Sequence, residues 1–484
     1  MRTYLEIGTS DFDTLNDKFA ARDHWRGMSV EAVPEYFDRL RRHGKNRYVN
    51  AVCSTDSSEP ARFHYVPSDV IARHNLPFWL RGCGSISMEI QVSLQAYRQF
   101  VQTLVLPRIL VRDIVADECF KDPVTGRCRI DLLKTDTEGY DHTLVNGILD
   151  HVRPTNVIFE TRFMAKEQFL QLDGRLVELG YQYRGREGDS VQYSRRSVLL
   201  VADEKWSTGS IARDLRCLSR EWDVDLLDWH RYPADLDLLL SEYDAVAGFT
   251  LMCPLAWPPL RNYGAICCSE VDIQGALQRG GILGATIGGV SRDLYYELTK
   301  ANVRSRVCHT PATARSSRFR RSGPRPIGKL GWVGIPATGG SPDVRRLSMF
   351  EDIAARTALP AIVSHSHYAY GTMQDFYDGI DMLVCTSTSE GGPLPVFEAM
   401  ACGVPVISTD VGLVKECRSV PKFATVDEAV AIIESLRNDP AKLEACREAQ
   451  REEFEGRMSM ERLLPHWERF FESCRGPAPS ALMF

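Results

Sequence analysis

Short apolar, β-branched runs recur along this chain, and a segment of helical periodicity separates most of them. That alternation restricts the fold more than any other feature. Runs of this kind lie near 3–8, 28–31, 48–53, 130–135 and 155–160. They resume with SVLLVAD (197–203), WDVDLLDW (222–229), YDAVAGFT (243–250), GAICCS (264–269) and ILGATIG (282–288). A third set follows: KLGWVG (329–334), PAIVSH (360–365), DMLVCTS (381–387) and VPVIST (404–409). Strands that stay apolar on both faces, joined through helices, predict parallel α/β layers. A length of 484 residues exceeds one ordinary core and points to three such domains. The fresh strand at Ser197 sets the first border, so the expected domains are 1–196, 197–325 and 326–484. A helix, Pro34 to Arg42, is predicted in the first domain with Pro at its start, where a missing amide costs nothing.

Composition removes several classes of function. Acidic residues outnumber basic ones, 64 to 58, so no basic platform for nucleic acid exists. The 14 cysteines include no C-x-x-C pair, which argues against zinc ribbons and thioredoxin chemistry and agrees with a reducing, cytoplasmic compartment. No signal peptide is expected, because a strand begins within a few residues of Met1. The longest apolar stretch, Ala245 to Leu260, is broken by Pro254, Pro258 and Pro259, so no membrane span is expected; peripheral membrane contact and the oligomeric state stay open. The basic run Ala314 to Lys329, rich in Ser, Gly and Pro, reads as a solvated linker between lobes in preference to a phosphate patch.

Two stretches carry chemistry. Glu390 to Asp410 reads EGGPLPVFEAMACGVPVISTD, with Glu390 and Glu398 eight positions apart around a Gly/Pro turn that opens a helix. A helix N-terminus fed by a glycine turn offers unpaired amides and a positive dipole end, which suit a diphosphate. A carboxylate further along that helix can accept hydrogen bonds from a ribose diol. Near the N-terminus, YLEIGTSDFDTL (4–15) runs from a strand into a turn at Gly8. Only one glycine is present instead of G-x-G-x-x-G, so a nicotinamide dinucleotide fits poorly. Glu31 stands twenty-three positions after Gly8, where a second strand places an acid on ribose hydroxyls. Asp136 and Glu138 follow the strand IDLLK at the carboxyl edge of a sheet, where α/β ligands bind. A carboxylate there can act as base for a hydroxyl; for Glu138 a helix-start acid that stabilises the dipole is an equal reading. His142 reads as a helix-face residue.

The first of these stretches resembles the E-x7-E signature of family 4 glycosyltransferases, enzymes of the two-lobed GT-B fold. The resemblance implies a retaining glycosyl transfer from a nucleotide-sugar donor with no metal. Glu398 would hold the ribose and Glu390 the donor sugar or a forming oxocarbenium ion. Gly391, Gly392 and the amide of Leu394 would face the phosphates, although Pro393 and Pro395 lack amides. The family's usual basic residue after the first strand of this lobe is not clean in GIPATGGSPDVRR; Arg345 or Arg346 can supply it, and Arg346 is taken as the donor residue. A G-V-D motif is absent around His309, and Glu270 and Asp272 read as a helix cap or as catalytic acids.

The N-terminal motifs, with IDLLKTDTEGYDHTLVNGIL (130–149), PTNVIFE (154–160) and WLRGCGSI (79–86), resemble the FkbM family of S-adenosylmethionine-dependent methyltransferases. The resemblance implies a cofactor held by Glu6, Gly8, Asp11 and Glu31, with Asp136 and Glu138 as candidate catalytic groups. The expectation is a cytoplasmic bifunctional transferase. It would O-methylate a sugar or related hydroxyl and glycosylate a glycan or metabolite. Two alternatives remain. Only the methyltransferase half works and the GT-B half is a degenerate sugar-nucleotide or glycan-binding scaffold, or the whole chain is a non-enzymatic binding scaffold.

Overall fold

The computed structural model describes residues 2–11, 14–87, 92–234, 236–249, 263–268, 286–301, 306–335, 343–364 and 372–475. The chain separates into two compact units, the first mainly Met1–Arg196 and the second mainly Ser197–Tyr232 with Asp237–Pro479.

The first unit is built on a seven-stranded sheet. In chain order its strands are β1 (Arg2–Ile7), β2 (Trp25–Glu31) and β3 (Arg47–Asn50), then, after two small pairs, β8 (Leu132–Thr135), β9 (Asn156–Glu160), β10 (Gln182–Glu187) and β11 (Ser190–Ser194). The small pairs are β4 (Val52–Ser54) with β7 (Arg108–Leu110), and β5 (Ala61–Tyr65) with β6 (Gln102–Leu106). The spatial order is β10-β11-β9-β8-β1-β2-β3. Strands β3, β2, β1, β8 and β9 run parallel, and the β10–β11 hairpin closes the edge antiparallel. The chain leaves β1 for β2 on one side and later places β8 on the other. The crevice beyond the carboxyl ends of β1 and β8 is therefore the topological switch point, where such sheets take ligands. Leu5, Leu133, Leu144, Val157 and Phe159 are among the core residues behind it. On the other face Trp25 stacks on Phe19 with ring centroids 4.2 Å apart, a contact worth about 0.5–1.5 kcal/mol beyond area burial. The predicted helix from Pro34 stops at Arg39, three residues short of the expectation, because Leu40 turns to extended ψ.

The second unit holds two further sheets. One joins β12 (Arg196–Ala202), β13 (Trp222–Asp228), β14 (Ala245–Gly248), β15 (Tyr263–Cys267), β16 (Thr286–Gly289) and β17 (Val307–His309) in the order β13-β12-β14-β15-β16-β17. The other joins β18 (Leu330–Val333), β19 (Ala361–Ser364), β20 (Met382–Cys385) and β21 (Val406–Ser408) in the order β19-β18-β20-β21. The pairs within it run parallel. Their switch points fall after β12 and β14 in one sheet and after β18 and β20 in the other. This is the expected mixed α/β architecture: one Rossmann-like sheet in the first unit, followed by two further sheets in the second. The last helix, Met460–Cys474, packs back on the first of the two sheets: Thr286 Oγ1 donates to the Ser473 carbonyl (2.7 Å) and Trp467 Nε1 to the Pro311 carbonyl (3.0 Å). Among the described residues no helix is long and apolar enough to cross a membrane. Glu270 and Asp272 lie outside the described residues.

Candidate functional site

In the first unit a cavity opens at the β1/β8 switch point, lined by Gly8, Ser10, Glu31, Arg81, Asp136 and Thr137 among others. Gly8 has φ +80°, and a Cβ there would stand 1.9 Å from the Asp136 carbonyl oxygen, so only glycine lets the β1 turn pass beneath β8. Glu31 ends β2 and is buried. Its carboxylate accepts from the Ser10 amide (2.7 Å) and the Val33 amide (2.8 Å), tying the Gly8 turn to the second strand. Burial pushes the Glu31 carboxyl up to about 7, against the pull of those two amides. Each carboxylate oxygen keeps a lone pair, so the group can also accept from a ribose.

Two of the expected cofactor residues serve the turn instead of the cavity. Glu6 does not line it. Because Glu6 points to the buried face of β1, its oxygens accept from the Leu15 amide (3.0 Å) and from Lys134 Nζ (3.3 Å), anchoring the loop after Gly8. Asp11 is also outside the lining; it pairs with Arg81 and with Arg39 (3.4 Å), and Arg81 is the member that reaches the cavity.

Asp136 and Glu138 meet a third acid that the sequence reading left unused. Glu160, the last residue of β9, brings a carboxylate oxygen within 4.8 Å of one from each of the other two. Ionised carboxylates at that spacing repel by roughly 3 kcal/mol per pair at an effective dielectric constant of 20. Burial and then the neighbouring Glu138 and Asp136 push the Glu160 carboxyl up to about 9. The signal was present in the sequence: NVIFE ends one strand of the same parallel set in an acid, as LLKTD does another. Adjacent parallel strands bring their carboxyl ends to one edge.

In the second unit a cleft draws on both sheets. Lys205, Trp206, Ser207 and Ser210 come from the turn and helix after β12. Gly334, Arg345, Glu390, Gly392, Leu394 and Glu398 come from the other sheet's switch point. The helix Leu394–Cys402 starts after Pro393 and ends on Gly403 at φ +73°, which frees the chain to enter β21. Gly392 and Leu394 line the cleft as expected. Gly391 does not: a Cβ on it would sit 2.1 Å from the Cys268 carbonyl, and its own carbonyl accepts from the Leu413 amide (2.8 Å).

The basic residue of this cleft is Arg345, not Arg346. Arg346 adopts φ +48° at the start of the helix Leu347–Thr357, and its Nε donates to the Thr386 carbonyl (2.7 Å), away from the cleft. Arg345 lines the cleft and pairs with Glu390, which also accepts from Ser387 Oγ (2.9 Å). Glu398 lines the cleft wall, yet both of its oxygens have partners: Arg318 on one and Tyr377 Oη (2.8 Å) on the other. Burial raises its carboxyl while Arg318 and Tyr377 pull it back.

Arg318 departs from the solvated-linker reading of 314–329, while others of the run, Arg320 among them, are exposed. Its side chain is buried and bridges Glu398 to the wholly buried Asp214 (3.3 Å), which also takes Arg315 Nε (3.5 Å). Arg325 in turn donates to the carbonyls of Asp378 (2.7 Å) and Ile380 (2.9 Å). Net positive charge and turn residues look alike in sequence whether the arginines face water or buried acids. Lys205 and Trp206 were also missed, although their place after the first strand of the unit marks the switch point. His309 packs against Tyr295 and His466 and is no part of the cleft lining.

Comparison with known proteins follows this division. The methyltransferase FkbM domain matches residues 6–183, and the group 1 glycosyl transferases match residues 339–453. No curated protein matches the chain. Among solved structures, sucrose-phosphate synthase from Thermosynechococcus elongatus is similar at 12% identity and TM-score 0.43, over 57% of this chain and 98% of that one. A mutant form of TarM from S. aureus, in complex with fondaparinux, α-GlcNAc-glycerol and UDP, is similar at 13% identity and TM-score 0.39, over 48% of this chain and 57% of that one. The chain thus carries a segment that matches the methyltransferase FkbM domain and, further on, one that matches the group 1 glycosyl transferases.

Proposed function

We propose that the chain is a bifunctional enzyme that O-methylates a sugar or related hydroxyl and transfers a sugar from a nucleotide donor, with domains at 1–196, 197–325 and 326–484. The observation that carries the reading is that both lined hollows fall at switch points and hold motif residues of the matched families. S-adenosylmethionine supplies the activated methyl group in the first. The Gly8 turn, which a Cβ would fill, and the Glu31 carboxylate fit its ribose and backbone. Arg81, held by Asp11, offers a cation to its carboxylate. The acids Asp136, Glu138 and Glu160 stand ready to take the acceptor's hydroxyl proton.

In the second hollow, Arg345 and Lys205 neutralise the donor diphosphate with the amides of Gly392 and Leu394. Glu390, held by Arg345, faces the donor sugar. Glu398, whose ionised form Arg318 favours against the effect of burial, accepts from the ribose. The reaction is retaining.

One observation favours a second reading for this half. Glu390 and Glu398 are already paired with arginines, and Pro393 and Pro395 remove amides from the phosphate turn. A sugar-nucleotide-binding scaffold beside an active methyltransferase accommodates both facts.

Calorimetric titration of the full chain with S-adenosylmethionine and with a panel of nucleotide sugars tests both readings, followed by donor hydrolysis. Binding of both ligands with turnover of the sugar nucleotide supports two enzymes; binding without turnover supports the scaffold. No binding of S-adenosylmethionine sinks the methyltransferase assignment.

A further inference from the structure

The geometry points to a divalent-cation site made by Asp136, Glu138 and Glu160 at the rim of the methyl-transfer cavity. It deepens the methyltransferase reading and rests on it, and it departs from the metal-free expectation.

The three carboxylates come from the ends of two neighbouring parallel strands, β8 and β9, and one oxygen of each lies within 4.8 Å of the other two. Three oxygens evenly spaced around a calcium ion, each about 2.3–2.6 Å from the metal, stand about 4.0–4.5 Å apart, so one ion reaches all three with at most a small side-chain adjustment and no movement of the strands. Manganese or magnesium needs a slight closing of the set, because Mg–O distances are about 2.0–2.1 Å. An all-oxygen set selects hard cations over zinc or copper.

Crowded acids alone do not make a site. The second observation is the state of Glu160. It is only 8% exposed, and its Oε2 is buried with no hydrogen-bond partner among the described residues. A buried carboxylate oxygen without a donor, on a side chain that stands beside two other acids, is the kind of group a cation satisfies. The other acid cluster of the described residues, Asp203, Asp228 and His230, gives the contrast. There Asp203 already accepts from the Lys205 amide (2.9 Å), His230 Nε2 (3.0 Å) and Trp229 Nε1 (3.3 Å), so its oxygens are satisfied without an ion.

Asp136 belongs both to this set and to the cavity wall. An ion there would face the acceptor, where it can orient neighbouring hydroxyls of a polyol and lower the pKa of the one that reacts. The ligand class implied for the acceptor is a compound with adjacent oxygen donors, as on a sugar ring.

The test is Mn2+ binding to the full chain after treatment with EDTA and dialysis, read by loss of the free-ion electron paramagnetic resonance signal. Calorimetric titrations with Ca2+ and Mg2+ run beside it. The expected result is a saturable Mn2+ site that Glu160→Gln weakens at least tenfold and Asp203→Asn leaves unchanged. The proposal is overturned if the wild-type chain removes no Mn2+ from the free signal, or if folded Glu160→Gln binds as wild type does. If Glu160→Gln does not fold, as judged by its thermal melt, Asp136→Asn takes its place under the same criteria. S-adenosylmethionine is titrated into the same stripped samples: cofactor binding without Mn2+ binding sinks the ion site alone, and absence of cofactor binding sinks the methyltransferase reading.

Discussion

The two hollows use buried carboxylates in opposite ways. On the wall of the methyl-transfer cavity Glu31 is held by backbone amides, and beside that wall Glu160 stands among other acids. In the glycosyl cleft both lining glutamates meet a guanidinium: Glu390 meets Arg345, and Glu398 meets Arg318, which also pairs with the buried Asp214 outside the lining. Amides stabilise a carboxylate without cancelling its charge, so burial wins and the pKa rises into the neutral range. A guanidinium offsets part of the charge, though burial still raises the Glu398 carboxyl, and the carboxylate becomes dependent on that partner for its place in the fold. The first arrangement makes ligand binding sensitive to pH; the second makes stability sensitive to single arginines.

The largest expected effect breaks the second arrangement. Arg318→Met leaves Glu398 and Asp214 buried with less compensation. Removal of one partner of a buried ion pair costs about 3–5 kcal/mol. The unfolding transition of the second unit should fall by that order in denaturant titration of the full chain. Adding Glu398→Gln to Arg318→Met should recover part of the loss, because one of the stranded charges is gone. Arg345→Met should cost stability about 1 kcal/mol or less, since its side chain is 36% exposed, while weakening nucleotide-sugar binding. Equal stability losses at the two positions would erase the distinction between a buried bridge and a donor-facing residue.

The next effect belongs to the first cavity. Gly8→Ala puts a Cβ 1.9 Å from a backbone oxygen at a positive φ. The turn must move, at a cost of about 1–3 kcal/mol in backbone strain, or roughly ten- to a hundredfold in cofactor affinity if the cost falls on the bound form. Calorimetry with S-adenosylmethionine measures it. Unchanged affinity would mean that the turn does not cradle the cofactor.

Much of this was legible in sequence, and the omissions have a common cause. Gly8 and Glu31 could be placed at the cavity because their positions follow from single strands and turns. The runs VPVIST and LLKT announced parallel strands by apolar content alone. Glu160, Lys205 and Arg318 were missed because their roles depend on which strand ends and connectors meet. Arg318 lies 80 residues from Glu398 and 104 from Asp214. Arg346 was preferred to its neighbour because spacing does not reveal a left-handed residue, which turns one arginine inward to a carbonyl and leaves the other to the cleft.

The smallest effect expected on cofactor affinity is the sharpest test of how the first cavity works. The Glu31 carboxyl titrates at about 7 in the folded chain, raised from its ordinary value of 4.5 by burial. Between those two values the unfolded chain has lost this proton and the folded chain retains it, so this group's contribution to stability falls as pH rises from about 4.5 to about 7. Cofactor binding should have the opposite slope. If ribose hydroxyls donate to the ionised carboxylate, affinity grows as the proton leaves, by about tenfold from pH 6 to pH 8 for a group titrating near 7. Glu31→Gln keeps the shape, removes the titration, and should flatten the group's part of both slopes. Because the ligand's own ionisation is common to both proteins, the difference between wild type and Glu31→Gln isolates the carboxylate. Parallel pH profiles for the two proteins would mean that Glu31 serves the Ser10 and Val33 amides alone and that the ribose is held elsewhere.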